Sequence, residues 1–231
     1  MGPEKLTRNY ITVQLENGRS SYGGDQSWLK TRAEQDFGCG LIAAADILRY
    51  LRRKEGRETE KLLTREEYLK DIHELSESFR IRGPLGITGF GIANRMNRLF
   101  RREDLPYRSK WSFGRKRLER RIPEMLSADI PVLLSVGPGF FHPKERLKMY
   151  RETENGELRE AQTMRDHYVT VTERCRTETG EYMLRLSSWG NMYYVNQREY
   201  LEHVKKYDNF LFSSILYIRK KANKENDGKR E

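Results

Sequence analysis

Cys39 stands between Gly38 and Gly40 at the head of the run Leu41-Ile42-Ala43-Ala44-Ala45-Asp46-Ile47-Leu48-Arg49-Tyr50-Leu51, and His167 follows 128 residues later (167 − 39). A thiol in the first turn of a helix meets unpaired backbone N–H groups and the positive end of the helix dipole. Both favour the thiolate, which is the nucleophile. An imidazole can take the thiol proton and later deliver it to a leaving amine. A third group on the other ring nitrogen fixes the tautomer, while a backbone N–H and a side-chain amide can hold the oxyanion of a tetrahedral intermediate. The glycines would let a substrate backbone come close. The plainer reading is a small buried thiol at a helix start and a structurally satisfied histidine.

The elements that must position these groups are visible in the pattern. Leu41, Ile42, Ala45, Leu48 and Leu51 recur at helical spacing, and Ala43, Ala44 and Ile47 leave little polar face, so a mostly buried central helix is predicted, ending near 52–54. His167 opens a clean alternation over 166–173, and Tyr182–Ser188 returns after Thr179-Gly180. Trp189-Gly190-Asn191 turns into a short strand over 192–195, and Asn196 with Glu199 has capping-box spacing for a helix over 197–207. A last strand is predicted over 210–219. Upstream, Thr64 and Glu67 form another capping box ahead of the stripe Leu69, Ile72, Leu75 and Phe79, and Thr88 caps a helix whose inner face is Ile92, Met96, Leu99 and Phe100. The glycine-rich loop 83–91 lacks the strand-then-GxGxxG order of a dinucleotide site but is suited to border a groove. Residues 130–137 read as a buried strand, and Asn155-Gly156 as a hairpin turn. Helices come early and strands late, which predicts an α+β domain: an N-terminal helical part packed on a C-terminal antiparallel sheet. Residues 1–19 read as an arm or short strand, 20–219 as one domain, and 220–231 as a charged, disordered tail.

The 231 residues suit one domain with a sizeable core, or two small ones. Two cysteines, Cys39 and Cys175, are too few for a disulfide scaffold, and the four histidines are too scattered for a metal motif. No metal or cofactor is expected. No apolar run has the length of a membrane span and no signal segment follows Met1, so a cytoplasmic protein is expected, with no membrane partner. The net charge of +10 is concentrated between Arg95 and Arg121, where Phe100, Tyr107, Trp111 and Phe113 are interleaved. That run reads either as a surface for nucleic acid or another acidic partner, or as a solvated helix face with its aromatics turned inward.

Three segments resemble the papain-like cysteine peptidase superfamily, and in particular its bacterial branch related to the bacteriocin-processing (double-glycine) peptidase domains. They are Gly38-Cys39-Gly40 opening a helix, Pro131-Val132 opening a strand, and His167-Tyr168-Val169-Thr170-Val171 opening the next. Ser187-Ser188-Trp189-Gly190 is similar to the Asn-Ser-Trp-Gly motif of papain. The resemblance implies a papain-like fold and a thiol hydrolase that cleaves a peptide or isopeptide bond in a peptide or protein substrate through an acyl-enzyme. Cys39 would be the nucleophile and His167 the base and acid. The third position falls on Ser187, where relatives carry Asn or Asp, with Ser188, Asn191 and Asp166 nearby. The oxyanion glutamine falls on Gln26 in preference to Gln35. Trp189 would shield the histidine, with Gly38, Gly40 and Gly190 bordering the substrate. The alternative is a lapsed member of this superfamily that serves as a basic binding module.

Overall fold

The computed structural model describes residues 4–79 and 86–221. Gly83, Pro84 and Leu85 of the glycine-rich loop, and the tail 222–231, lie outside the described residues.

The chain opens with two short strands, β1 (Thr12–Gln14) and β2 (Ser20–Tyr22), followed by a single 3-10 turn (Gln26–Trp28). Helices α1 (Arg32–Phe37) and α2 (Cys39–Lys54) come next, then β3 (Leu63–Thr64), α3 (Arg65–Phe79) and α4 (Gly89–Arg102). The second half holds β4 (Tyr107–Ser112), α5 (Arg115–Ser127), β5 (Val132–Val136), β6 (Leu147–Glu152), β7 (Leu158–Met164), β8 (His167–Arg176), β9 (Tyr182–Ser188), β10 (Asn191–Asn196), α6 (Gln197–Tyr207) and β11 (Ile215–Lys220). The fold is mixed α+β. Eight strands form one antiparallel sheet in the order β4-β11-β5-β8-β9-β10-β6-β7, and β2-β1-β3 form a small second sheet.

Local chemistry explains the boundaries. The Thr64 hydroxyl accepts from the Glu67 N–H (3.2 Å) while the Glu67 carboxylate accepts from the Thr64 N–H (3.0 Å), the reciprocal cap expected of that spacing. The Thr88 hydroxyl accepts from the Gly91 N–H (3.1 Å) and starts α4. Strand β5 lies between β8 and β11 and is buried along its whole length, which is why it reads as a short apolar run broken only by Ser135. Strand β4 was hidden in the basic run. Its Tyr107, Ser109 and Trp111 are buried while Arg108 and Lys110 are exposed, a period of two written in cations. The last strand begins at Ile215 rather than near 210, because the Asn209 side chain accepts from the N–H groups of Leu211 (3.0 Å) and Phe212 (3.3 Å) and bends the chain. At the β4 edge, α4 engages Ser109 through the Ala93 carbonyl (2.9 Å), and α5 engages Ser112 through Arg121. Those residues differ in parity, so the two helices cover opposite faces there.

The central helix α2 is buried from Gly40 to Leu51 and packs on β8 and α3. The N-terminal segment is laid across strands β8 to β10. The Tyr22 N–H donates to the Gly190 carbonyl (2.8 Å), the Gly190 N–H donates to the Gly24 carbonyl (3.1 Å), and the Tyr22 hydroxyl reaches Thr172 (2.8 Å). Ile11 and Val13 are fully buried, so this segment belongs to the core.

Candidate functional site

The turn that presents Cys39 is built from glycine. Gly38 ends α1 and serves as the N-cap of α2. A Cβ on Gly38 would run into the Glu34 carbonyl and the Leu29 side chain, and one on Gly40 would stand 3.1 Å from both Tyr168 and Ile92. Both glycines are buried. They permit close packing of helix on helix and of helix on strand. Gly190 behaves likewise: its φ is +67° and its missing side chain makes room for Ser21.

His167 opens β8 directly after Asp166, whose φ is +49°. The imidazole is 7 % exposed and stacks on Trp189 with ring centres 4.3 Å apart and planes 17° from parallel. Its Nε2 lies 2.8 Å from the Ser188 hydroxyl. Ser187, the position expected to hold the imidazole, donates instead to the Tyr22 carbonyl (2.7 Å). Consecutive residues of a strand face opposite ways, so only one of the two serines can meet the ring. The two-residue link between β9 and β10 requires positive φ at both Trp189 (+46°) and Gly190. A bulky side chain held in that conformation costs about 1–2 kcal/mol. The return on that cost is an indole laid flat over the imidazole.

Cys39 is partly exposed. Its sulfur opens on a cavity of about 20 Å³, close to one water in size, lined also by Gln26, Asp46, Tyr168, Ser187 and Ser188. The thiol therefore shares a cavity with the residue after His167 and with the hydroxyl that holds the ring. Among the described residues no hydrogen bond joins Cys39 to His167. Gln26 is the glutamine on this cavity. One of its amide N–H groups donates to the Gln35 carbonyl (2.6 Å), while Gln35 turns away to the Leu29 carbonyl (2.8 Å).

Burial governs the protonation states. It pushes the Cys39 thiol up to about 11, with the backbone of Tyr168 acting the other way and the Asp166 carboxylate raising it further. The helix-start effect expected to favour the thiolate is overridden. Burial alone takes His167 down to about 3. At neutral pH the resting site holds a neutral thiol and a neutral imidazole. The Asp166 carboxyl is itself raised by burial.

One feature escaped the sequence reading, and a second was only hinted at by the glycine-rich loop. Asp46, on the inner wall of the cavity, is 1 % exposed and accepts from Tyr68 (2.7 Å), Tyr10 (3.0 Å) and the Gly24 N–H (3.1 Å). Desolvation pushes it up to about 6 despite those donors. A lone carboxylate inside an apolar helix was its sequence signal. The second is an apolar groove of about 390 Å³ between residues 87–90 at the start of α4 and residues 137–140 and 211–212, with Asp166 and Tyr168 in its wall. Phe90, Phe140, Leu211 and Phe212 stand exposed around it.

Among the described residues no group of three or more His, Cys, Asp or Glu side chains could hold a metal ion, and no helix is long and apolar enough to cross a membrane. Compared with known proteins, the chain matches no family model, no curated protein and no solved structure.

Proposed function

We propose that this chain is a papain-like thiol hydrolase that cleaves a peptide or isopeptide bond, with Cys39 as nucleophile and His167 as base and acid. The observation that carries the reading is the restraint on His167: Nε2 held by Ser188 under the Trp189 ring, one residue from the Tyr168 backbone that faces the Cys39 sulfur. With the Ser188 oxygen accepting, the ring carries its proton on Nε2 and leaves a lone pair on Nδ1 for the thiol. Because both groups rest neutral, proton transfer accompanies attack in place of a standing ion pair. The sulfur adds to the scissile carbonyl as Nδ1 takes its proton. The oxyanion meets the free N–H at the head of α2 and the second amide N–H of Gln26. The imidazolium then protonates the leaving amine, and water releases the acyl group from Cys39 while His167 takes a proton from it. The adjoining apolar groove suits an apolar side chain of the acyl portion.

A second reading, a lapsed relative that binds without turnover, draws on the same electrostatics, since a thiol near 11 and an imidazole near 3 form no resting ion pair. Alkylation separates the two. Iodoacetamide is expected to modify Cys39 faster than Cys175 in the native protein, and His167→Ala should slow Cys39 alone by about tenfold or more. Equal, slow labelling of both cysteines with no response to His167→Ala would overturn the hydrolase and leave the lapsed form.

A further inference from the structure

At the β4 edge of the large sheet, cations gather without counter-ions. Arg108 faces Arg219 and Lys110 faces Tyr217 across the β4–β11 pair. Lys110 and Arg121 share the Tyr217 ring, at 5.7 and 4.3 Å from its centre, and Arg117 lies over Phe113 at 5.7 Å. Among the described residues Arg108, Lys110, Arg117, Arg121 and Arg219 enter no ion pair. Arg121 is only 8 % exposed, and its Nε has no hydrogen-bond partner. A buried guanidinium without a carboxylate is costly to keep and is suited to an anion brought from outside. The nearest acids are committed elsewhere: Glu119 pairs with Arg115 (3.3 Å), and Glu124 accepts from the Tyr217 hydroxyl (2.5 Å). The crowding is strong enough to lower the Lys110 pKa, with Arg121 as the first cause.

Along the same edge runs a groove of about 450 Å³, walled by Arg108, Lys110, Tyr217 and Arg219 on one side and by Phe90 and Asn94 of α4 on the other. Asn97 already occupies the edge of β4 there, accepting from the Ser109 N–H and donating to its carbonyl (2.8 Å each). Strand addition by a peptide is therefore blocked at that point. Phe90 and Phe113 are exposed (48 % and 44 %), and the Asn94 side chain is exposed as well. From these features we infer that the β4–β11 edge binds a single-stranded nucleic acid, with phosphates on Arg108, Lys110 and Arg219 and bases stacked on the exposed phenylalanines. Cations interleaved with open aromatic faces distinguish this surface from one built for an acidic peptide, which needs charge alone. The inference does not depend on the thiol site.

Fluorescence anisotropy of a labelled twelve-residue oligothymidylate titrated with the full chain tests it. Arg108→Glu with Lys110→Glu, both exposed and in no ion pair, should weaken binding by about tenfold or more and reduce the salt slope by about 1.4, the value for two lost single-strand phosphate contacts. Phe113→Ala should cost about tenfold without changing that slope. Lys205→Glu with Lys206→Glu on α6 makes the same change in net charge and should leave the affinity within about twofold, as should Cys39→Ala. The inference is overturned if the two double variants lose affinity equally. It is also overturned if a twelve-residue polyglutamate or a twelve-base-pair duplex binds as tightly as the single strand, or if no binding occurs at low salt.

Discussion

Asp46, on the cavity at Cys39, and His167 are both buried, and burial moves them in opposite senses. The Asp46 carboxyl rises from 3.8 to about 6, so between those values the folded state holds a proton that the unfolded chain has lost. Its contribution is favourable at low pH and is lost as pH rises from about 4 to 6. His167 falls from 6.5 to about 3, so there the unfolded chain holds the extra proton, and stability is lost as pH drops through that window. The two slopes largely cancel in the native protein. Asp46→Asn removes one of them. Relative to the parent, this variant should gain on the order of 3 kcal/mol as pH rises from 4 to 7, read from urea midpoints at each pH. A difference that does not change with pH would show that the carboxyl titrates normally. The two serines divide in the same way. Ser188→Ala should slow Cys39 alkylation several-fold with little change in Tm, because it frees the imidazole. Ser187→Ala should leave alkylation intact and cost about 1 kcal/mol, because it strips a hydrogen bond from the Tyr22 carbonyl. The tandem serines look equivalent as letters. Strand parity tells them apart, and the sequence does not state that parity, because it depends on where the register of β8 on β9 begins.

Helix α2 shows what the glycines around Cys39 contribute. Alanine gains about 1 kcal/mol over glycine inside a helix. At Gly40 a methyl group would press on the ring edge of Tyr168 and the tip of Ile92, which must give by a few tenths of an ångström. Gly40→Ala is therefore expected to shift Tm little while slowing Cys39 alkylation, because the yielding partner is the residue beside His167. At Gly38 the methyl would meet the Glu34 carbonyl, which is fixed backbone, and Gly38→Ala should cost about 2 kcal/mol or more by chemical denaturation. Equal effects at the two positions would contradict this account. Among the strands, legibility followed burial. The short apolar run of β5, the alternation of β8 and the reciprocal cap of α3 could all be read because each follows from local chemistry. Strand β4 could not, since its outward residues are arginine and lysine and its inward ones include a serine. The groove beside Tyr168 was foreshadowed only by the glycines of the 83–91 loop, because its other wall comes from residues more than forty positions downstream.

At the scale of the molecule, the α+β architecture was legible from the order of patterns, helices early and strands late. How the two halves meet was not. The cavity at Cys39 draws its walls from the 3-10 turn, from α2 and from strands β8 and β9, four pieces with no common signature in the letters. What joins them is the N-terminal segment, bonded through Tyr22 and Gly24 to Gly190 and through the Tyr22 carbonyl to Ser187, a span of 165 positions. Contacts that far apart close late, since the intervening chain must already be ordered before the loop entropy is repaid. The walls around the thiol are complete only when the β9–β10 hairpin is in place, so a partly opened chain would expose Cys39 to solvent without the enclosure that raises its pKa.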